Sequence, residues 1–298
     1  MLENLRRKSL VHGYFDRNQA LGFEDGSVFL ENQGTIQGFR QSEKGRFLKA
    51  KRMNSLEQVQ INGVSFNMIP CPSGVFVMGH KDIKDNQPRI ERIERPFLLG
   101  ETEITQELYE MVKGSYSYAH KDPKSPIVMV SWYACLDFCN KLSKLQGLDE
   151  CYTQNSSQDG DWDCDFTKNG YRLPTEKEWE YAAKAHTENR WAGTDSERDV
   201  GTYAWFGQNG GNSKYKIHHV KKRKPNEWGL YDMSGNVKEW CWNLHIDKMD
   251  NDKPKRVACG GDWENEKYRA RVAWRDLFPA NMAMLNTLGF RVCRSIVN

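Results

Sequence analysis

Apolar and polar positions follow a period of two in one region of this chain and a period near 3.6 in the next. From Val59 to His80, VQINGVSFNMIPCPSGVFVMGH alternates and is rich in β-branched and aromatic residues. That predicts a hairpin opening the main domain, with its turn over Pro70, Pro72, Ser73 and Gly74. Beyond Gly100, Thr105 is placed to cap a helix bearing Leu108, Met111 and Val112. Ser131 is placed to cap a second, with Cys135, Phe138, Cys139, Leu142 and Leu145 on one stripe and an end at Gly147. A third follows Pro174, where Pro, Thr and Glu together form an N-terminal signal. After Ala185 the chain turns Gly-, Asn- and Trp-rich, with short strand-like pieces and no long helical period. Residues 1–58 show no sustained period and read as an irregular arm or small β unit. The pattern therefore predicts an α+β domain over 59–298 with long loops, and long ordered loops are usually functional. No internal repeat of the solenoid kind is present.

Composition narrows the function classes. A chain of 298 residues with 38% hydrophobics and ten tryptophans can bury a substantial core. Lys plus Arg is 43 against 40 for Asp plus Glu, so a net charge of +3 gives no electrostatic reason to expect nucleic acid as a partner. The basic run Lys221-Lys222-Arg223-Lys224 has no phosphate-cradling glycine loop and reads as a solvated loop. No apolar run approaches the roughly 20 residues of a membrane helix, and the residues after Met1 lack an apolar signal core. A soluble monomer without a membrane-spanning segment is the expectation. The eight cysteines are too sparse for a disulfide scaffold. Cys151 and Cys164 bracket a polar loop and can bridge in an oxidising compartment; in a reducing one they are ordinary thiols.

Motifs for hydrolysis are missing: there is no GxSxG, HExxH or Walker-type loop. The seven histidines are scattered, and the adjacent His218 and His219 point in different directions on either a strand or a helix. Glu264 and Glu266 share a face only on a strand, and with no partner in view they read as surface charges.

Several segments resemble the formylglycine-generating enzyme family, also called the sulfatase-modifying-factor family. They are FVMGH, GETEITQELYEMV, VSWYACLDFCNKLS, NGYRLPTEKEWEYAA, YAWFGQNGG, KPNEWGLYDMSGNVKEWCW, GGDW and the closing LGFRVCRS, in the family's order over residues 60–296. The resemblance implies a variant of the C-type lectin fold. It does not settle the chemistry, because the family includes copper-dependent oxidases, iron-dependent sulfur-transfer enzymes and pure binders. The oxidases bind copper(I) through two cysteines just after the GG-S-[WY] motif, and soft thiolates are what that ion requires. Here the residues after Trp263 are Glu264, Asn265, Glu266, Lys267, Tyr268, Arg269 and Ala270, with no thiol. The iron-dependent relatives need a helical N-terminal domain with a histidine triad, and residues 1–58 contain only His12. The resemblance also offers Asn236 and Glu239 as oxygen ligands of a structural calcium, although Asn and Glu more commonly cap turns. No other cofactor is expected.

A third group with this fold matches more closely: the variable proteins of diversity-generating retroelements. Their framework is present as Arg256-Val257, Gly260-Gly261, Trp263, Arg271-Val272-Ala273, Arg275, Pro279 and Leu288-Gly289-Phe290-Arg291. The resemblance implies a non-enzymatic binder with a variable region at about 256–291. Asp262, Glu264, Asn265, Tyr268, Arg269, Trp274, Asp276, Leu277, Phe278, Ala280 and Asn281 would be displayed to a macromolecular ligand, expected to be a protein. Trp274, Leu277 and Phe278 would lie exposed close together. Trp263, Val272, Ala273, Phe290 and Val292 are expected to be structural, and Arg271, Arg275 and Arg291 to anchor loops. Display at a cell or phage surface would follow from the resemblance. The alternative is a divergent metal-dependent oxidase of the formylglycine-generating type.

Overall fold

The computed structural model describes residues 20–22, 28–32, 35–36, 56–116, 121–155, 162–207, 216–247 and 253–297. Three short strands, β1 (Ala20–Gly22), β2 (Val28–Asn32) and β3 (Thr35–Ile36), pair antiparallel with one another. Next come β4 (Glu57–Ile61) and β5 (Val64–Cys71), joined by a tight hairpin at Asn62 and Gly63. Both turn residues take positive φ, 44° and 91°, the conformation a two-residue Asn-Gly turn requires. The hairpin is thus displaced from the predicted Pro70–Gly74 turn. Pro72 and Ser73 instead carry the chain out of this sheet into β6 (Gly74–Met78), which pairs forward with β7 (Arg89–Ile93).

The rest follows in order: β8 (Phe97–Gly100), α1 (Gln106–Lys113), α2 (Trp132–Leu145), β9 (Tyr152–Gln154), β10 (Trp162–Cys164), β11 (Tyr171–Arg172) and α3 (Glu176–Lys184). After a single turn, α4 (Val200–Tyr203), come β12 (Lys238–Asp247), β13 (Lys253–Cys259), β14 (Arg275–Phe278), β15 (Leu288–Gly289) and β16 (Cys293–Ser295). One sheet has the order β11-β16-β8-β5-β4 and a second β14-β13-β12-β15. This is the α+β architecture expected from the pattern.

The three helix starts lie where the sequence places them. Thr105 accepts from the Leu108 N–H and Ser131 from the Ala134 N–H, while Thr175 and Glu178 form a reciprocal capping box. Leu145, expected on the buried stripe of α2, is 52% exposed, because the stripe leaves the core at the last turn. Cys135, Phe138, Cys139 and Leu142 are fully buried.

Two apolar cores flank the second sheet. One gathers Trp132, Phe138, Trp240 and Phe290, the other Trp179, Tyr181, Cys241 and Val257. Among these, full burial of a Phe or Val side chain contributes roughly 1.5–3 kcal/mol. Between the cores lies Arg291, wholly buried, whose guanidinium donates to both Glu239 oxygens at 2.6 Å and to the carbonyls of Gly100 and Tyr231 at 2.9 Å. Trp179 Nε1 donates to the same carboxylate at 2.7 Å. This brace joins β12, α3 and the chain entering β16, and it meets the expectation that Arg291 anchors loops.

No described helix is long and apolar enough to cross a membrane. Cys151 and Cys164 are free thiols, and burial pushes Cys164 up to about 12.

Candidate recognition surface

The segment after β13 is built around a buried carboxylate. Gly260 and Gly261 take φ of 96° and 69° and turn the chain sharply. A Cβ on Gly261 would lie 2.5 Å from the Arg269 carbonyl oxygen and 2.7 Å from the Ala270 Cα, so the loop closes on itself only because this residue is glycine. Asp262 then turns inward. Its Oδ1 accepts from the Glu264 and Asn265 backbone N–H groups, each at 2.8 Å, and the Asn265 amide donates to both oxygens. Lys238, at the start of β12, completes the set as an ion pair with Asp262. Asp262 is only 1% exposed, so its expected place on the displayed face is corrected: it organises the turn from within.

Around that turn some side chains face solvent, while the Asn265 amide faces the buried carboxylate. Glu264 is exposed, Asn265 is half-buried, and Tyr268 is 41% exposed. The Tyr268 and Trp274 rings meet edge to face at 5.5 Å between centroids. The Arg269 guanidinium lies 5.9 Å from the first ring and 5.4 Å from the second. Arg269 Nε donates to the Tyr268 hydroxyl at 3.3 Å, and Trp274 Nε1 donates to Asp276 Oδ1 at 3.3 Å. Arg269 reaches that same Asp276 oxygen at 3.5 Å, and Asp276 Oδ2 lies 3.8 Å from Lys238. Tyr268, Arg269, Trp274 and Asp276 therefore form one cluster, tied to Asn265 through Lys238 and Asp262.

Lys238 is absent from the predicted set. It is buried, and desolvation lowers its pKa below the ordinary lysine value. It precedes the segment matched by the framework, and the one available signal was a lysine inside the apolar run around Val237 and Trp240.

The strand part of the segment behaves differently. Along β14, Leu277 faces Val257 and packs against one core, while Phe278 packs against the other, with its ring 5.9 Å from Trp240. Alternation puts neighbouring residues of a strand on opposite faces, so the expected exposed trio of Trp274, Leu277 and Phe278 does not form. Ala280 is half-buried on the first core, and its carbonyl accepts from the Trp132 N–H at 3.0 Å, seating the start of α2. Asn281 is exposed, and Met284 beyond it is 82% exposed.

The expected framework residues Trp263, Val272, Ala273, Phe290 and Val292 are buried. Arg275 pairs with Glu176 at the start of α3. Arg271 lies over Trp191, 5.6 Å from the ring centroid, and 4.0 Å from Asp82. Asn86 donates to the Ala273 carbonyl at 2.8 Å and to Glu180 at 3.1 Å, fastening the Arg271–Trp274 stretch to α3.

Metal chemistry of the oxidase kind does not fit these residues. From Gly260 to Val292 the chain has no cysteine. The adjoining Cys259 lies in the core with its sulfur 3.8 Å from that of Cys241, and burial pushes the Cys293 thiol well up. Both Glu239 oxygens are engaged by Arg291. Asn236 donates to Glu103 at 3.1 Å and accepts from the His218 N–H at 3.1 Å, so the calcium-ligand types named by the resemblance serve internal bonds.

Comparison with known proteins agrees with this architecture. The family model described as "Sulfatase-modifying factor enzyme 1-like domain" matches residues 56–296. Chaperone protein LppX of Paenibacillus barcinonensis is 29% identical over 261 residues, spanning 78% of this chain and 90% of its own length. The formylglycine-generating enzyme of Bos taurus is 27% identical over 278 residues, spanning 75% of this chain and 73% of that one. Among solved structures, Treponema denticola variable protein 1 superposes with a TM-score of 0.73 at 34% identity, covering 82% of this chain and all of that one. The fold is the C-type lectin-type α+β fold. With the family model spanning most of its length, this chain belongs to the formylglycine-generating enzyme (sulfatase-modifying factor) family.

Proposed function

We propose that this protein is a non-catalytic recognition protein, a variable protein of the diversity-generating-retroelement kind, which binds a protein ligand through its C-terminal face. One observation carries the reading. Where the oxidases need thiols, this chain places Tyr268, Arg269 and Trp274 together at the surface of a rigid, glycine-closed turn. Tyr, Trp and Arg are the residue types that dominate binding hot spots, and their few rotatable bonds or planar heads lose little entropy on docking. The likeness to a variable protein over most of the chain supports the same reading. A display role at a cell or phage surface, by a monomer needing no cofactor and no nucleic acid, completes it.

The test is genetic and chemical. The neighbouring DNA is expected to hold a near-copy of the segment encoding Arg256–Arg291, differing at adenines, beside a reverse transcriptase. In parallel, copper(I) titration with oxygen uptake on a cysteine-bearing peptide is expected to be silent. Tight copper binding with turnover would overturn the reading in favour of the oxidase.

A further inference from the structure

Several arginines and lysines of this protein hold an acidic partner at short range, whereas Arg269, on the recognition face, does not. Arg291 meets Glu239 at 2.6 Å, and Arg172 meets Glu178 at 2.7 and 2.8 Å. Arg294 meets Glu57 at 2.7 and 2.8 Å, and Arg190 meets Asp195 at 2.8 Å. Lys267, on the same loop as Arg269, holds Glu197 at 2.7 Å. These are the short contacts expected of charge-assisted bonds, about 2.7–2.9 Å. Arg269 reaches its only acidic contact among the described residues, Asp276, at 3.5 Å, the outer edge of a hydrogen bond.

Arg269 is not the sole partner of Asp276. Its Oδ1 also accepts from Trp274 Nε1 at 3.3 Å, and Lys238 lies 3.8 Å behind its Oδ2. If Arg269 turned away, neither the carboxylate nor the buried ammonium would be left without an opposite charge, because Lys238 also pairs with Asp262. The guanidinium is thus available at the surface, with aromatic rings on two sides. Apolar walls strengthen an ion pair by excluding water from it.

We propose that the face carries a subsite for a single carboxylate, the side chain of an aspartate or glutamate on a protein ligand. Arg269 is its partner, and Tyr268 and Trp274 form its walls. The proposal rests on the recognition reading and names the chemistry of its ligand. The exposed Glu264 and Glu266 on the same loop set its limit. They repel an extended polyanion, whereas a lone carboxylate can reach the guanidinium beside the ring pair.

The indole N–H resonance of Trp274 in the full chain reads the subsite directly. Capped glutamate (N-acetyl-glutamate N-methylamide) is expected to shift it with saturation at concentrations on the order of millimolar, and capped glutamine to do so about tenfold more weakly. Arg269→Gln, at a surface position, should cut the glutamate response about tenfold while the circular dichroism spectrum stays unchanged. Equal shifts from the two probes, or an Arg269→Gln chain that responds like its parent, would overturn the subsite. Protein binders selected against the chain separate the two readings. Binders weakened by Trp274→Ala but indifferent to Arg269→Gln would remove the carboxylate subsite and leave the recognition face standing.

Discussion

The loop half of the segment, Gly261 to Trp274, and its strand half, Arg275 to Asn281, belong to one framework pattern, yet they expose their side chains by different rules. In the loop half the backbone N–H groups of Glu264 and Asn265 are satisfied by Asp262, inside the turn, so Glu264 and Tyr268 face outward while Asn265 donates back to the carboxylate. In the strand half the backbone pairs with β13, and the pleat sends Leu277 into one core and Phe278 into the other. A substitution at an exposed loop position such as Glu264 or Tyr268 can change chemistry at little structural cost. One in the strand must still pack.

The comparison can be broken or sharpened by mutation. The largest effect should come from outside both halves, at the brace that supports them. Arg291→Met leaves the Glu239 carboxylate buried beside Trp179 alone, and loss of one partner of a buried pair costs roughly 3–5 kcal/mol. A loss of unfolding free energy, from urea denaturation, of less than a third of that would show the brace to be incidental. Next comes Phe278→Ala. A buried Phe→Ala change costs about 3–5 kcal/mol, and Phe278, half-buried against Trp240, should lose about 2 kcal/mol by chemical denaturation. A neutral result would return Phe278 to the displayed set.

A pH effect of intermediate size is expected at Asp232, near the brace. Burial raises its carboxyl to about 6. A folded-state pKa above the unfolded value means that the protonated form favours folding. The contribution is full below about pH 4 and disappears as pH rises through about 6. The stability of Asp232→Asn relative to the parent should therefore rise between pH 4 and 7, as read from urea midpoints at the two ends. A constant difference would remove Asp232 as the source. The smallest stability change belongs to the loop half. Tyr268→Ala should stay within about 0.5 kcal/mol of the parent, because its ring covers only surface neighbours. A loss comparable to that at Phe278 would erase the distinction between the halves.

Much of the frame was legible in advance. The caps at Thr105, Ser131 and Thr175 are local, since each is set by a side chain and a backbone N–H three residues apart, and all three helices start there. The Asn62-Gly63 turn was equally local. It is a stronger hairpin signal than the proline-rich stretch at Pro70–Gly74 that displaced it in the sequence reading. The framework motif assigned Trp263, Val272, Ala273, Phe290 and Val292 to the interior, where they lie. It had no means of sorting the displayed set. Asp262 is inside because Lys238, 24 positions earlier, reaches it. Leu277 and Phe278 are half-buried because two separate cores meet the two faces of β14.

By itself, the sequence determined the α+β class, the helix starts, the family motifs and the absence of cysteine from Gly260 to Val292. Each of these is written in adjacent or regularly spaced residues. The tertiary structure was needed to decide which residues of the segment share a surface, that Arg269 is a loosely paired cation on it, and that Lys238 lies beneath. Those facts depend on Coulomb and packing contacts between elements brought together by β12, β13 and β14, and contacts of that kind leave no period in the chain.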